Sequence, residues 1–240
     1  MRVSLVFITR NEIAGLRGVF DRVPRDEVFE TFAVDGHSAD GTAEFFRERG
    51  IPVHAQVEKG LGAAMLEARA HARGDAIIFF HPDGNEDPGA IPIFVERLRA
   101  GAEFVVASRM IPGARNEEDD QVLRWRKWAN RGLALMANVL FARGGARTTD
   151  ITNGLRAITT DAFDRMCLTS RDLTMDFQMV IRALKLGMRI DEFPTREGER
   201  IGGATSFPSL QTGIKELGLV WDELLAGDSV FNSAPKASLE

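Results

Sequence analysis

His81, Asp83 and Asn85 stand at alternate positions in Phe79-Phe80-His81-Pro82-Asp83-Gly84-Asn85-Glu86-Asp87-Pro88. If the chain stays extended there, the three side chains point to one side. Oxygen and nitrogen ligands at the carboxyl end of a strand can hold a divalent metal against a diphosphate. The same residues also fit a plain strand-to-helix turn, with an Asp or Asn cap and Pro88 in the first helical turn. A second turn, Asp35-Gly36-His37-Ser38-Ala39-Asp40-Gly41-Thr42, offers a carboxylate for a base or ribose and glycines that let backbone approach a ligand. It too can be a capped turn, through Ser38 or Asp40. Lys59-Gly60-Leu61-Gly62 opens a helix, where a Lys beside free N–H groups suits a phosphate or a sugar.

Two basic stretches add anion-binding candidates. Residues 122–149 carry six basic side chains (Arg124, Arg126, Lys127, Arg131, Arg143, Arg147) and no acid. Arg124, Lys127 and Arg131 share one helical face beside Trp125 and Trp128. Such a helix suits a membrane surface or an anionic lipid head group, or else is a core helix with a solvated basic face. Arg196, Arg200 and Gly202-Gly203 form a basic loop that either closes over a diphosphate or simply connects the last strand to the last helix.

The elements that must position these residues alternate. Strands are expected at 3–9, 31–34, 52–57, 75–80 and 103–108, with helices at 12–23, 40–49, 61–73 and 88–100. This βαβ alternation predicts an α/β fold with a mostly parallel sheet flanked by helices, and functional loops gathered on the carboxyl rim. Beyond Ser108 come a polar loop at 109–121, a helix at 122–142 and an interrupted strand at 149–159. An amphipathic helix at 174–186, a strand at 189–194 and a helix at 208–225 follow, the last with an apolar face expected to pack internally. The reading is a single domain over 1–226 in two halves, 1–108 and 109–226. Residues 227–240 form a tail expected to be disordered.

Composition excludes several classes. A net charge of −5 gives no reason to expect nucleic-acid binding. The single Cys167 rules out an internal disulfide and a multi-cysteine metal site. Among candidate dinucleotide motifs, Gly60-Leu61-Gly62 lacks a third glycine, and the first strand ends in Thr9-Arg10-Asn11-Glu12 with no glycine, which argues against an NAD enzyme. No apolar run reaches spanning length and no signal peptide is visible, so a cytoplasmic protein with at most peripheral membrane contact is expected. The sequence leaves the oligomeric state open.

Taken together and in order, these turns resemble the family 2 glycosyltransferases of GT-A (Rossmann-like) fold, closest to the dolichol-phosphate mannosyltransferase-like subgroup. Thr9-Arg10-Asn11-Glu12 is similar to that family's Thr-Tyr-Asn-Glu segment near the base. Val34–Thr42 resembles its Val-Asp-Asp-Gly-Ser-x-Asp-Gly-Thr turn, and Lys59-Gly60-Leu61-Gly62 its Lys-Gly-x-Gly helix start. Ala107-Ser108-Arg109 and Asp150–Arg156 resemble its Gly-Ser-Arg and Asp-x-x-x-Gly-x-Arg segments. The chain departs from the pattern at His81 (for the first Asp of Asp-x-Asp), at Gly36 (for an Asp) and at Ser206 (for a Lys).

The resemblance implies an inverting transfer of a hexose from GDP-mannose or UDP-glucose to a polyprenyl or dolichyl phosphate, with Mg2+ or Mn2+ as cofactor, and makes 1–108 the nucleotide-sugar-binding half and 109–226 the acceptor-binding half. It implies donor contacts at Thr9, Asn11, Glu12, Asp35, His37, Lys59, Gly60 and Asp83, and metal contacts at His81, Asp83 and Asn85. Arg109, Arg126 and Arg131 would position the acceptor phosphate, and Arg200 would cover the diphosphate. A phosphate acceptor is already ionised and needs no strong base. A hydroxyl acceptor does, and Asp176 is then the candidate. An inactive nucleotide-sugar-binding module is the third reading.

Overall fold

Alternation along the central strands decides the layers. In β1 (Val3–Thr9), Val3, Leu5 and Phe7 enter one buried cluster, and Val6 and Ile8 enter another. In β4 (Ala76–Phe80), Ala76, Ile78 and Phe80 divide in the same way from Ile77 and Phe79. Strands covered on both faces show no polar side, hence their continuous apolar runs. The computed structural model describes residues 1–115, 125–201 and 209–233. It adds β2 (Glu30–Asp35), β3 (Val53–Ala55), β5 (Phe104–Ser108), β6 (Arg156–Thr159) and β7 (Ile190–Pro194) to a seven-stranded sheet of order β3-β2-β1-β4-β6-β5-β7. Only β6 runs antiparallel to its neighbours.

Helices α1 (Ile13–Val19), α2 (Thr42–Glu48) and α4 (Ala90–Arg99) cover one face. Helices α3 (Leu61–His71), α5 (Trp125–Phe141), α6 (Thr160–Arg165) and α7 (Met175–Lys185) cover the other, and α8 (Ser209–Ala226) packs on α7. The strand order reverses between β1 and β4. Loops leaving their carboxyl ends therefore flank a crevice, the usual ligand position in an open α/β sheet. Gly15 brings α1 against that crevice: a Cβ there would lie 2.4 Å from the Pro82 carbonyl oxygen.

The α/β single domain expected from the sequence is what the chain forms, with four corrections. The strand expected at 149–159 is ordered as β6 only from Arg156, because side-chain bonds hold 149–155 in a loop. Helix α7 is not amphipathic in place: all its residues are buried, including Asp176, Gln178, Arg182 and Lys185. Helix α6 was not foreseen, although Thr159 caps it by accepting the Ala162 N–H at 3.2 Å. The first residues of the expected tail are held in place: Lys185 Nζ donates to the Gly227 carbonyl, Asp228 pairs with Arg143, and Ser229–Ser233 form a turn, while 234–240 lie outside the described residues.

Candidate active site

Two turns, at 9–13 and 35–42, are tied together by the side chains singled out in the sequence. Asp35, buried at the end of β2, accepts from Thr9 Oγ1 at 3.2 Å, from the Ser38 N–H at 2.9 Å and from Ser38 Oγ at 2.6 Å. Asn11 donates its backbone N–H to Ser38 Oγ and takes the Ala39 N–H on Oδ1, both at 2.8 Å. The Glu12 N–H goes to Thr42 Oγ1 and the Ile13 N–H to Asp40, both at 3.0 Å. Burial tends to raise the Asp40 carboxyl, but bonds from Thr42 and Ile13 outweigh it and hold it below the usual range. Asn11 and His37 both take positive φ, 56° and 60°, a conformation tolerated best by such side chains. His37 Nε2 lies 2.8 Å from the Gln56 carbonyl oxygen, and the ring is exposed.

The helix start at Lys59 differs from expectation. The N–H groups of Gly62 and Ala63 are already taken by the carbonyls of Asp172 and Arg171, at 3.2 and 3.0 Å. They are not free for a phosphate. Lys59 itself is exposed, and the Gln56 amide holds its turn by bonding the carbonyls of Glu58 and Gly60. Gly60 has φ 120°, and a Cβ there would strike the Arg171 carbonyl oxygen.

The Asp83 turn is where the two halves of the chain meet. Asp83 Oδ1 accepts the Asn85 N–H at 2.9 Å, and its Oδ2 lies 3.6 Å from Arg200. The Ile201 N–H reaches the Asp83 carbonyl at 2.7 Å, and the Gly198 N–H reaches that of Asn85 at 2.8 Å. Asn85 uses its own amide N–H on the Gly198 carbonyl at 3.0 Å, leaving Oδ1 as its only candidate ligand atom. Arg200 also donates to Glu12 at 2.8 Å. Burial raises the Glu12 carboxyl, against the pull of Arg200.

His81 is tied to Glu86. Its Nδ1 lies 2.8 Å from Glu86 Oε1, and its backbone N–H donates to Glu86 Oε2 at 2.7 Å. Burial disfavours the charged ring, yet Glu86, Asp83 and Asp176 around it hold the proton on, up to about 9. Nδ1 is thereby turned to Glu86, and Nε2 is the ring nitrogen left for a ligand. Among the described residues, no three His, Cys, Asp or Glu side chains converge on a metal position. A hard divalent ion needs no such cage when one or two carboxylates are joined by substrate phosphates. Asp83, with Asn85 Oδ1 beside it, fits that arrangement.

Across the rim, Arg109 is paired with carboxylates rather than free. It contacts Asp150 from its backbone N–H (3.0 Å), Nε (2.8 Å) and NH2 (2.9 Å), Glu197 from NH1 (2.9 Å), and Thr152 from NH2 (2.9 Å). Burial alone would lift the Asp150 carboxyl, but Arg109 pulls it down to about 2. Asn130 on α5 joins the network by donating to Asp150 at 2.8 Å. Arg156, wholly buried, lies 3.4 Å from Asp176 and donates to the Asp176 and Asn153 carbonyls. Asp176 Oδ1 accepts no hydrogen bond, and burial raises its carboxyl.

The structure thus brings Thr9, Asn11, Glu12, Asp35, His81, Asp83, Asn85, Arg109, Asp176 and Arg200 to one rim. It leaves Lys59 and Arg131 on the surface, Arg131 stacked 5.9 Å from the Trp128 ring centre. Arg124, the Arg126 side chain and Ser206 lie outside the described residues. Asn130 and Glu197 were missed because their partners, Asp150 and Arg109, are distant in sequence. Glu86 was missed although its partner His81 lies within the same turn.

Beyond the rim, α5 and α8 expose large apolar side chains: Trp128, Leu135 and Val139 on α5; Ile214, Leu217, Trp221 and Leu225 on α8. Among its described residues, the α8 face expected to pack internally contributes only Val220 to the core, and those that turn inward with it are Glu216 and Glu223. No described helix is long and apolar enough to cross a membrane.

The model of the family described as glycosyl transferase family 2 matches residues 4–171. An undecaprenyl-phosphate mannosyltransferase of Micrococcus luteus is 30% identical over 214 residues, which cover 83% of this chain and 85% of that protein. A dolichol-phosphate mannosyltransferase of Pyrococcus furiosus is 29% identical over 125 residues, 49% of this chain and 36% of that one. Glucosyl-3-phosphoglycerate synthase from Mycobacterium tuberculosis, solved with Mn2+, UDP and phosphoglyceric acid, superposes with a TM-score of 0.64 at 19% identity. That match covers 98% of this chain and 80% of the synthase, a likeness of fold.

Proposed function

The chain belongs to glycosyl transferase family 2, and on that footing we propose that it transfers a hexose, with inversion, from a nucleoside-diphosphate sugar to a polyprenyl-phosphate lipid. The observation that carries the acceptor class is the set of exposed apolar side chains on α5 and α8, Trp128 among them, with Lys127 and Arg131 beside Trp128 on α5. A polyprenyl chain stays in the bilayer, so an enzyme that meets its phosphate has to sit at the membrane surface. Apolar side chains edged by Trp and basic residues suit that position. The name of the Micrococcus relative supports the same acceptor class.

At the donor site, Asp83 and Asn85 Oδ1 would hold a divalent ion, and the ion would supply charge neutralisation for the departing diphosphate. Asn11, Glu12 and the Asp35 turn would shape the nucleotide pocket. Arg200 would bind the diphosphate through its planar fork. His81, paired with Glu86, would hold the Asp83 turn in place. Arg109, neutralised by Asp150 and Glu197, would build the acceptor side, leaving Arg126 and Arg131 to meet the lipid phosphate.

A hydroxyl acceptor would require a base. Asp176 has the raised carboxyl a base needs, but it is enclosed beside Arg156, which favours the phosphate reading. The test is transfer of label from GDP-mannose or UDP-glucose, with Mn2+ or Mg2+. Label entering the organic phase only when polyprenyl phosphate is present is the expected result. Label passing to a soluble glycan instead would overturn the lipid acceptor, and donor binding without any transfer would favour an inactive module.

A further inference from the structure

Arg200 joins two carboxylates that come from different turns. NH2 lies 2.8 Å from Glu12 Oε1, and NH1 lies 3.6 Å from Asp83 Oδ2. The guanidinium is held there by its backbone: the Ile201 N–H bonds the Asp83 carbonyl, and the Gly198 N–H bonds that of Asn85. The Ile201 side chain closes the contact by lying over Gly84, where a Cβ would fall 2.7 Å from Ile201 Cγ1. A cation placed between Glu12 and Asp83 neutralises the same oxygens that a divalent ion would use. The two cations repel, so one weakens the other. A diphosphate changes the balance, because it offers the guanidinium a bidentate partner and the ion two further oxygens.

We propose that Arg200 is a resident counter-cation of Glu12 and Asp83, which it exchanges for the diphosphate of the donor as the divalent ion takes Asp83. This rests on the reading of Asp83 as the residue that meets ion and diphosphate. It makes Arg200 a positioning residue that couples the two ligands. The ion binds weakly by itself and tightly with a nucleoside diphosphate, and by reciprocity the nucleotide binds tightly only with the ion.

The experiment is Mn2+ titration followed by the EPR signal of the free ion, with and without UDP or GDP, on the full chain. Wild type, Arg200→Gln, Arg200→Lys and Asp83→Asn are compared after thermal denaturation has shown each to be folded. Arg200→Gln is expected to bind Mn2+ alone roughly tenfold more tightly than wild type. The factor by which nucleotide improves Mn2+ affinity should shrink in that variant. Arg200→Lys keeps the charge and should stay near wild type for Mn2+ alone. Equal or weaker Mn2+ binding by Arg200→Gln, with binding abolished in Asp83→Asn, would overturn the exchange and leave the donor site standing. Mn2+ binding unchanged in Asp83→Asn would overturn the metal reading itself, and the exchange with it.

Discussion

Helices α4 and α8 answer the same question in opposite ways. In α4, Ile91, Phe94, Val95 and Leu98 face the sheet while Glu96 faces water. In α8, Glu216 and Glu223 face inward at 7% and 2% exposure, while Ile214 and Trp221 stand out at 64% and 63%. The first is the arrangement that burial of apolar area produces on its own. The second is stable only because α7 supplies partners. Glu223 accepts from Arg182 Nε at 2.8 Å and from Lys185 Nζ at 2.7 Å, and Gln178 adds a third donor. Helix α4 is thus held by apolar packing alone. Helix α8 is held partly by buried charge and turns apolar surface outward.

Breaking the buried charge cluster should have the largest effect. Glu223→Ala leaves Arg182 and Lys185 enclosed without their carboxylate, and a loss of about 3–5 kcal/mol is expected in urea unfolding. Glu96→Ala, on the exposed side of α4, should change stability by no more than about 0.5 kcal/mol. Equal effects would remove the distinction between the two helices.

Asp83→Asn probes the rim rather than the interior. It keeps shape and the turn, removes the charge, and should lower sugar transfer roughly 10^2–10^3-fold. The melting temperature should move by no more than about 2 °C, because Asp83 is not part of either apolar cluster. A large stability loss without a rate effect would make Asp83 a turn residue only.

The two regions also differ in how far they could be read from sequence. Residues 1–108 were legible because their signals are local: strand runs end at turns, and Asp35 bonds Ser38 three residues on. The Asp35 and Asn11 side chains singled out there tie the two turns to each other. Beyond residue 108 the deciding contacts span the chain. Arg200 meets Glu12 across 188 residues, and Arg109 meets Asp150 across 41. Periodicity places a stripe on one face of α8 but does not say which face is inside. That depends on α7, whose charged residues were assigned to solvent by pattern and are buried by contact with α8. The free helix N–H groups at Lys59 failed for the same reason, since their partners lie at 171–172.

A pH series sharpens the comparison further. Burial, with Asp176 adding its charge, raises Glu216 from an ordinary 4.5 to about 7. The folded state therefore binds this proton more tightly than the unfolded chain does. The stability it contributes is complete below pH 4.5 and is lost as pH rises through 7. Glu216→Gln should be near neutral at pH 5 and stabilising by about 2 kcal/mol at pH 8. A gain independent of pH would mean that Glu216 does not titrate with folding.

The smallest stability effect is expected where apolar surface faces outward. Trp221→Ser and Leu225→Ser together remove two large exposed side chains of α8. If water or lipid head groups surround them in solution, unfolding free energy should change by about 0.5 kcal/mol or less per site. Phe94→Ala in α4 serves as the contrast, with about 3–5 kcal/mol lost from a closed core. Flotation with anionic vesicles then separates the causes. Weaker flotation of the α8 variant, and of Lys127→Gln with Arg131→Gln, at unchanged stability would assign the face to a bilayer. A stability loss of about 2 kcal/mol or more that grows with dilution would instead mean that a second copy covers it.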